Sequence, residues 1–249
     1  MRPIRWTYSD KTGAREGRFD VKLFMKRIIP GPLLNNTLLT FPRLYRSRLV
    51  RYETNFQWDE NVRELLDLLE KTVSLEGEIV ECGSARCGTS IIMANFLKAK
   101  GIGKKIYACD SWEGFDREEL AREREAGLLF DVPDKPHTSA SHDYVTKKIR
   151  KLHLDDVIIT VKGFFSDTLP NLSSTFSFVL IDCDLRESVS YCAENLWPKV
   201  VPGGLVVFDD YTSPNYRGTK LAVDAFIAER RADIADHRLV QRLYYARKS

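Results

Sequence analysis

No run of this sequence is long and apolar enough to span a bilayer, and the first ten residues carry arginines without the apolar segment a signal peptide needs. A cytoplasmic protein with no membrane partner is therefore expected. Histidine is scarce, at four residues, and the five cysteines, Cys82, Cys87, Cys109, Cys183 and Cys192, are odd in number and form no CxxC pair. Cys82 and Cys87 have no histidine or second cysteine pair at ligand spacing, which argues against a zinc held by sulfur. Most of the cysteines sit inside apolar runs and read as small buried hydrophobes in a reducing compartment. Neither sign of charge dominates. The 38 basic and 35 acidic side chains leave a formal charge of +3, too near balance to recruit nucleic acid by bulk electrostatics. Internal repeats and low-complexity tracts are absent as well.

What is present is enough apolar material, 43% of 249 residues, for one large core with an appended segment. Residues 1–57 are basic, rich in aromatics, punctuated by Pro30, Pro32 and Pro42, and weakly periodic. They read as an N-terminal arm or lid, and its apolar residues Trp6, Phe24, Leu33, Leu34 and Leu38 suit either a cover over a site or a subunit contact in a homo-oligomer. Residues 58–249 form the main domain. It opens with a helix from Trp58 to about Val73, in which Val62, Leu65, Leu66, Leu68 and Leu69 recur at helical spacing.

Beyond Gly77 short apolar runs alternate with longer amphipathic ones, the pattern of a doubly wound α/β fold with a mostly parallel sheet. Seven strands are expected: Glu78 to Cys82, Lys105 to Cys109, Val157 to Lys162, Phe176 to Asp182, Leu205 to Phe208, and weaker ones near Arg238 to Val240 and Leu243 to Ala246. Helices are expected over Thr89 to Lys100, Asp143 to Leu152, Glu187 to Trp197 and Arg217 to Glu229. Pro202-Gly203-Gly204 reads as a turn just ahead of the fifth strand. Residues 111–140 are polar, carry Pro133 and Pro136, and are helical only around Arg117 to Ala126. Such an insertion at a strand end commonly builds or covers a site.

The run from Glu81 to Ser90, Glu-Cys-Gly-Ser-Ala-Arg-Cys-Gly-Thr-Ser, closes the first strand and opens a helix. Glycines here let the backbone approach a ligand, and the helix start offers free amides. Asp110 ends the second strand, where a carboxylate in this fold can hold ribose hydroxyls. Gly83, Ala85 and Gly88 also resemble a degenerate dinucleotide fingerprint, but Ala85 replaces the glycine that admits a pyrophosphate, and Glu81 would repel phosphate while suiting a cation. Gly163 to Pro170 leaves the third strand at the same edge, with Phe164 or Phe165 available to an adenine ring. Asp182-Cys183-Asp184 and Asp209-Asp210 close the fourth and fifth strands. Four carboxylates meeting there would repel one another, and a hard divalent cation with oxygen ligands would relieve the conflict.

These motifs, together with Asp110-Ser111-Trp112-Glu113-Gly114, Asp182-x-Asp184-Leu185-x-Glu187-Ser188, Pro-Gly-Gly and Asp209-Asp210-Tyr211, resemble the macrocin O-methyltransferase family over about Glu78 to Phe226. The resemblance implies a Rossmann-like class I methyltransferase fold, S-adenosylmethionine as methyl donor, magnesium, and a small, sugar-containing acceptor. Matched by position, Asp182, Asp209 and Asp210 would hold the metal and Asp184 would be the base. Arg186 stands where the family usually has an aromatic, and residues 1–57 show no match. The cofactor is expected to contact Glu81, Gly83, Ser84, Gly88, Thr89, Ser90, Asp110, Ser111, Gly163, Phe164 and Asp182. His142 is a second candidate base. Two rival readings fit parts of the same sequence. An NAD-dependent oxidoreductase would account for the loose glycine pattern, with Tyr144 and Lys148 spaced as a hydride-transfer pair; a non-catalytic cofactor-binding domain would act through the arm.

Overall fold

A computed structural model of the chain describes residues 60–132 and 140–249, together with the backbone of a separate antiparallel hairpin pairing Trp6–Tyr8 with Arg15–Gly17. The remainder of the arm, the start of the first expected helix at Trp58 and Asp59, and residues 133–139 of the insertion lie outside the described residues.

Helix α1 (Glu60–Glu70) precedes a seven-stranded sheet made of β1 (Glu78–Cys82), β2 (Ile106–Asp110), β3 (Ile158–Lys162), β4 (Phe176–Ile181), β5 (Val200–Phe208), β6 (Ile234–Val240) and β7 (Leu243–Lys248). The order across the sheet is β3-β2-β1-β4-β5-β7-β6. The first five strands run parallel, and β7 is antiparallel to both β5 and β6. Every residue of β4 is buried, which is why it reads as a continuous apolar run rather than an alternating one: both sheet faces are covered. Helices α1, α2 (Gly88–Ala99) and α4 (His142–Lys151) supply Leu65, Ile91, Met93, Val145 and Ile149 to one face. Helices α6 (Arg186–Leu196) and α7 (Arg217–Glu229) supply Val189, Leu196, Val223 and Phe226 to the other. Helix α3 (Arg117–Glu125) lies in the insertion, and the single turn α5 (Phe165–Thr168) follows β3.

Pro202-Gly203-Gly204 is not the turn ahead of a strand; it lies inside β5, which begins at Val200. The pairing jumps from Phe176↔Val200 to Phe178↔Leu205, so the intervening residues bulge out of the ladder. A bulge tolerates a proline without an N–H, and Gly203 supplies the positive φ of 79°. The chain winds outward from β1 in one direction and from β4 in the other, so the crevice between their carboxyl ends is the topological switch point where ligands of such sheets bind. Among the described residues no helix is long and apolar enough to cross a membrane, and all five cysteines are free and buried.

Candidate active site

The sheet ladder continues past the strand ends and fixes the loops beyond them. Asp182 N–H donates to Cys82 O at 2.8 Å, Asp209 N–H to Ile181 O at 3.0 Å, and Gly163 N–H to Asp110 O at 3.0 Å. Gly83 presses against β4 so closely that a Cβ there would lie 1.9 Å from Asp182 O, and its φ is +89°. Only glycine fits. Five non-glycine residues on this edge, Ala85, Cys87, Trp112, Asp184 and Asp210, also have positive φ between 43° and 63°. Backbone held in that sparsely populated region, concentrated on one edge, marks a constrained functional surface.

Asp110 stitches two loops together. Its Oδ2 accepts from Ala85 N–H at 2.8 Å and its Oδ1 from Trp112 N–H at 2.6 Å, while Trp112 Nε1 donates to Ala85 O at 2.6 Å. Glu81, only 1% exposed, accepts a hydrogen bond from Ser90 Oγ. Burial pushes its carboxyl up to about 8 against the opposing Ser90 hydrogen bond, with a smaller push from Asp110. Without a cationic partner, Glu81 is thus mostly protonated at neutral pH.

A cavity of about 430 Å³ opens over these loops, a size suited to a small-molecule ligand. Of the residues expected at a cofactor, Gly83, Asp110, Ser111, Gly163, Phe164 and Asp182 line it. Glu81, Ser84, Gly88, Thr89 and Ser90 are buried and do not line it. Asp184 also faces the cavity, and carboxylate oxygens of Asp182, Asp184 and Asp210 lie within 4.8 Å of one another. Burial first, then the neighbouring charges of Asp209, Asp210 and Asp184, pushes Asp182 well above the usual carboxylate range; burial and Asp210 do the same to Asp184. Such a donor set, all oxygen and mutually repelling, fits a hard divalent cation. Asp209 stands apart from the convergent three. It is 1% exposed, and the guanidinium of Arg242 donates to both of its oxygens. Burial and Asp210 raise its pKa, while Arg242 opposes them.

His142 does not reach this cluster. Its Nε2 pairs with Thr160 Oγ1 at 2.9 Å and its ring packs on Trp112 at 4.7 Å, away from the cavity lining. Tyr144 and Lys148 do not line the cavity either, and the Lys148 ammonium is committed to Arg86 O at 2.8 Å.

Residues not foreseen from sequence, Phe115, Asp116, Glu119, Arg122 and Tyr191, form the cavity's other wall; Glu123, one turn on from Glu119, does not line it. Glu119 and Glu123 of α3 lie four apart, on one face. Glu119 accepts from Ser188 N–H at 2.6 Å and Ser188 Oγ at 2.7 Å; Glu123 accepts from Arg186 N–H at 2.7 Å. They cap the first turn of α6, whose own cap residue Leu185 makes no side-chain hydrogen bond. Arg122 adds a two-pronged contact to Glu187 at 2.8 and 2.7 Å. Beyond α3, Phe130 N–H donates to Asn215 O and Arg217 N–H to Leu128 O, which pins the insertion beside Tyr216. That ring meets Phe115 edge-on at 6.1 Å. Burial and the charges of Asp184, Asp210 and Asp182 push its phenol up. The paired glutamates of α3 were the available signal, but nothing local says which helix they would cap.

The model of the family described as macrocin-O-methyltransferase (TylF) matches residues 59–239. The chain belongs to the macrocin O-methyltransferase family. One relative of this macrocin-type chain is the 8-demethyl-8-(2,3-dimethoxy-alpha-L-rhamnosyl)-tetracenomycin-C 4'-O-methyltransferase of Streptomyces olivaceus, 33% identical over 147 residues, covering 54% of this chain and 53% of the relative. The match therefore spans about half of that relative's length. The demethyldecarbamoylnovobiocin O-methyltransferase of Streptomyces niveus is 30% identical over 190 residues, covering 71% of this chain and 67% of the relative. Among solved structures, the O-methyltransferase NovP superposes with a TM-score of 0.65 at 23% identity, covering 92% of this chain and all of NovP. That likeness extends the family assignment to the fold, a class I methyltransferase sheet.

Proposed function

We propose that this member of the family transfers the methyl group of S-adenosylmethionine to a hydroxyl of a small, sugar-containing acceptor, with magnesium assisting. The observation that carries the reading is the convergence of Asp182, Asp184 and Asp210 at the lip of the cavity lined by Gly83 and Asp110. When bound, S-adenosylmethionine supplies a sulfonium whose methyl carbon accepts an in-line displacement. Asp110, at the end of β2 and lining the cavity, is the carboxylate for the ribose hydroxyls. Phe164, 38% exposed at the cavity wall, offers an apolar face to the adenine. Glu81, buried and outside the cavity lining, serves the ammonium group through the Ser90 helix turn, and becomes the carboxylate once that positive charge arrives.

Asp182 and Asp210 stand both in the ligand set expected from sequence and in the convergent group, and with Asp209 as third ligand they would hold the magnesium. The metal, when bound, would acidify and orient an acceptor hydroxyl. Asp184, forced into the left-handed region beside them and facing the cavity, is the proton acceptor in this reading, its charge being restored when a cation relieves the repulsion of its neighbours. One relative supports a sugar acceptor by its name, which gives a dimethoxyrhamnosyl tetracenomycin as substrate, and another, the mycinamicin III 3''-O-methyltransferase of Micromonospora griseorubida, 27% identical over 149 residues, supports O-methylation of a small molecule. We place the reaction in the cytoplasm, in a homo-oligomer, with no nucleic-acid or membrane partner.

The test is release of S-adenosylhomocysteine on incubation with S-adenosylmethionine, Mg²⁺ and a panel of rhamnosyl-bearing aromatic polyketides, run beside calorimetric titration of the cofactor. Turnover on a sugar hydroxyl that stops in EDTA is expected. Absence of cofactor binding, or full turnover in EDTA, would overturn the proposal.

A further inference from the structure

The hairpin joining β6 to β7 closes through only Gln241, at φ 51°, and Arg242. β7 is paired with β5 up to Phe208↔Tyr244, so one step further the turn lies beside the residues that leave β5. Arg242 consequently reaches Asp209 and Asp210. Its Nε and one terminal nitrogen donate to the two oxygens of Asp209, and the same terminal nitrogen reaches Asp210 Oδ1 at 3.2 Å. The Asp209 side chain is fully buried and that of Arg242 is 24% exposed. A planar guanidinium fits a carboxylate in this two-pronged way, and an ammonium does not.

Two consequences follow. Asp209 is turned toward Arg242 and is missing from the group whose oxygens converge. The positive charge of Arg242 also sits against Asp210, a member of that group, where it would repel an incoming cation. We infer that Arg242 is an internal counter-cation of the acidic site: it holds Asp209 while no metal is bound and yields it when a divalent cation arrives, so guanidinium and metal compete for the same carboxylates. This inference rests on the magnesium reading above. The exchange leaves no buried charge alone, because the metal takes over Asp209 as the partly exposed guanidinium turns toward water; a buried carboxylate stripped of its partner with no replacement would be strongly destabilising.

A fixed arginine that merely orients Asp209 toward the metal would give the opposite sign on substitution, and this makes the inference testable. Mn²⁺ binding is measured by calorimetry on the full chain for the wild type, Arg242→Gln and Arg242→Lys, with melting temperatures taken with and without Mn²⁺. Competition requires Arg242→Gln to bind Mn²⁺ about tenfold more tightly. It also requires the metal-free variant to melt lower than the wild type, with Mn²⁺ restoring most of the difference. Arg242→Lys, which keeps the charge and loses the two-pronged fit, should fall between the two, and it carries the sign if Arg242→Gln does not fold without metal. Equal or weaker Mn²⁺ binding by the variants overturns the inference and leaves the magnesium reading standing. No Mn²⁺ binding by any of the three proteins overturns both.

Discussion

Replacing Glu81 by Gln separates what this carboxyl costs the fold from what it does for the cofactor. The group is 1% exposed and its carboxyl is raised from 4.5 to about 8, chiefly by burial. Its folded pKa is above its unfolded one, so the folded state binds the proton more tightly. The penalty is absent below about pH 4.5, grows as pH rises, and levels off above about 8. At pH 7 the 2.5 units between 4.5 and 7 correspond to about 3 kcal/mol as an upper limit. Glutamine keeps an oxygen for the Ser90 hydroxyl and cannot ionise. The cofactor-free variant should therefore lie within about 1 kcal/mol of the wild type near pH 5 and exceed it by up to about 4 kcal/mol near pH 8, at roughly 2–4 °C in melting temperature per kcal/mol. Cofactor binding should move the other way: without a carboxylate for the ammonium, affinity for S-adenosylmethionine should fall by about tenfold or more. The assay is differential scanning fluorimetry across pH, paired with calorimetry at neutral pH. A melting difference between variant and wild type that stays constant across this range would refute the reasoning, because it would mean that Glu81 does not titrate between its unfolded and folded values.

Other substitutions probe separate parts of the site. Gly83→Ala places a methyl 1.9 Å from Asp182 O at a φ of +89°, so the β1 loop must withdraw from β4; a loss of about 3 kcal/mol or more and undetectable binding of S-adenosylhomocysteine by calorimetry are expected. Asp184→Asn removes the proposed proton acceptor while leaving the cavity's size and Asp110 in place; methyl transfer should drop by about a hundredfold or more with cofactor affinity within a fewfold of wild type, as single-turnover kinetics beside calorimetry would read. Glu119→Ala combined with Glu123→Ala strips the first turn of α6 of its three hydrogen bonds to these α3 carboxylates; about 2–4 kcal/mol of stability should be lost in urea unfolding, and an undiminished midpoint would show that α3 does not hold α6 in solution.

The alternation of apolar runs and amphipathic stretches was enough to locate all seven strands and the helices between them, because burial on both sheet faces writes itself into local composition. Glycine at Gly83 and acidic residues at Asp110, Asp182 and Asp209 are equally local signals, since each marks a strand end that must turn and face solvent or ligand. Most boundaries moved by a residue or two, but β5 starts five residues before the expected Leu205 and β6 four before the expected Arg238; Pro202-Gly203-Gly204 reads as a turn because a bulge and a turn ask for the same residues. What the chain's order could not disclose is which groups meet. Arg242 lies more than thirty residues beyond Asp209 and reaches it only because β7 reverses against β5. Glu119 and Glu123 cap a helix whose start is more than sixty residues away. The choice among four aspartates, with three converging and one paired to arginine, depends on side-chain directions set by loop dihedrals and by a hairpin turn. Sequence periodicity reports how each segment is buried, which is a property of that segment alone. The site is a property of distances between segments, and those distances exist only once the sheet is assembled.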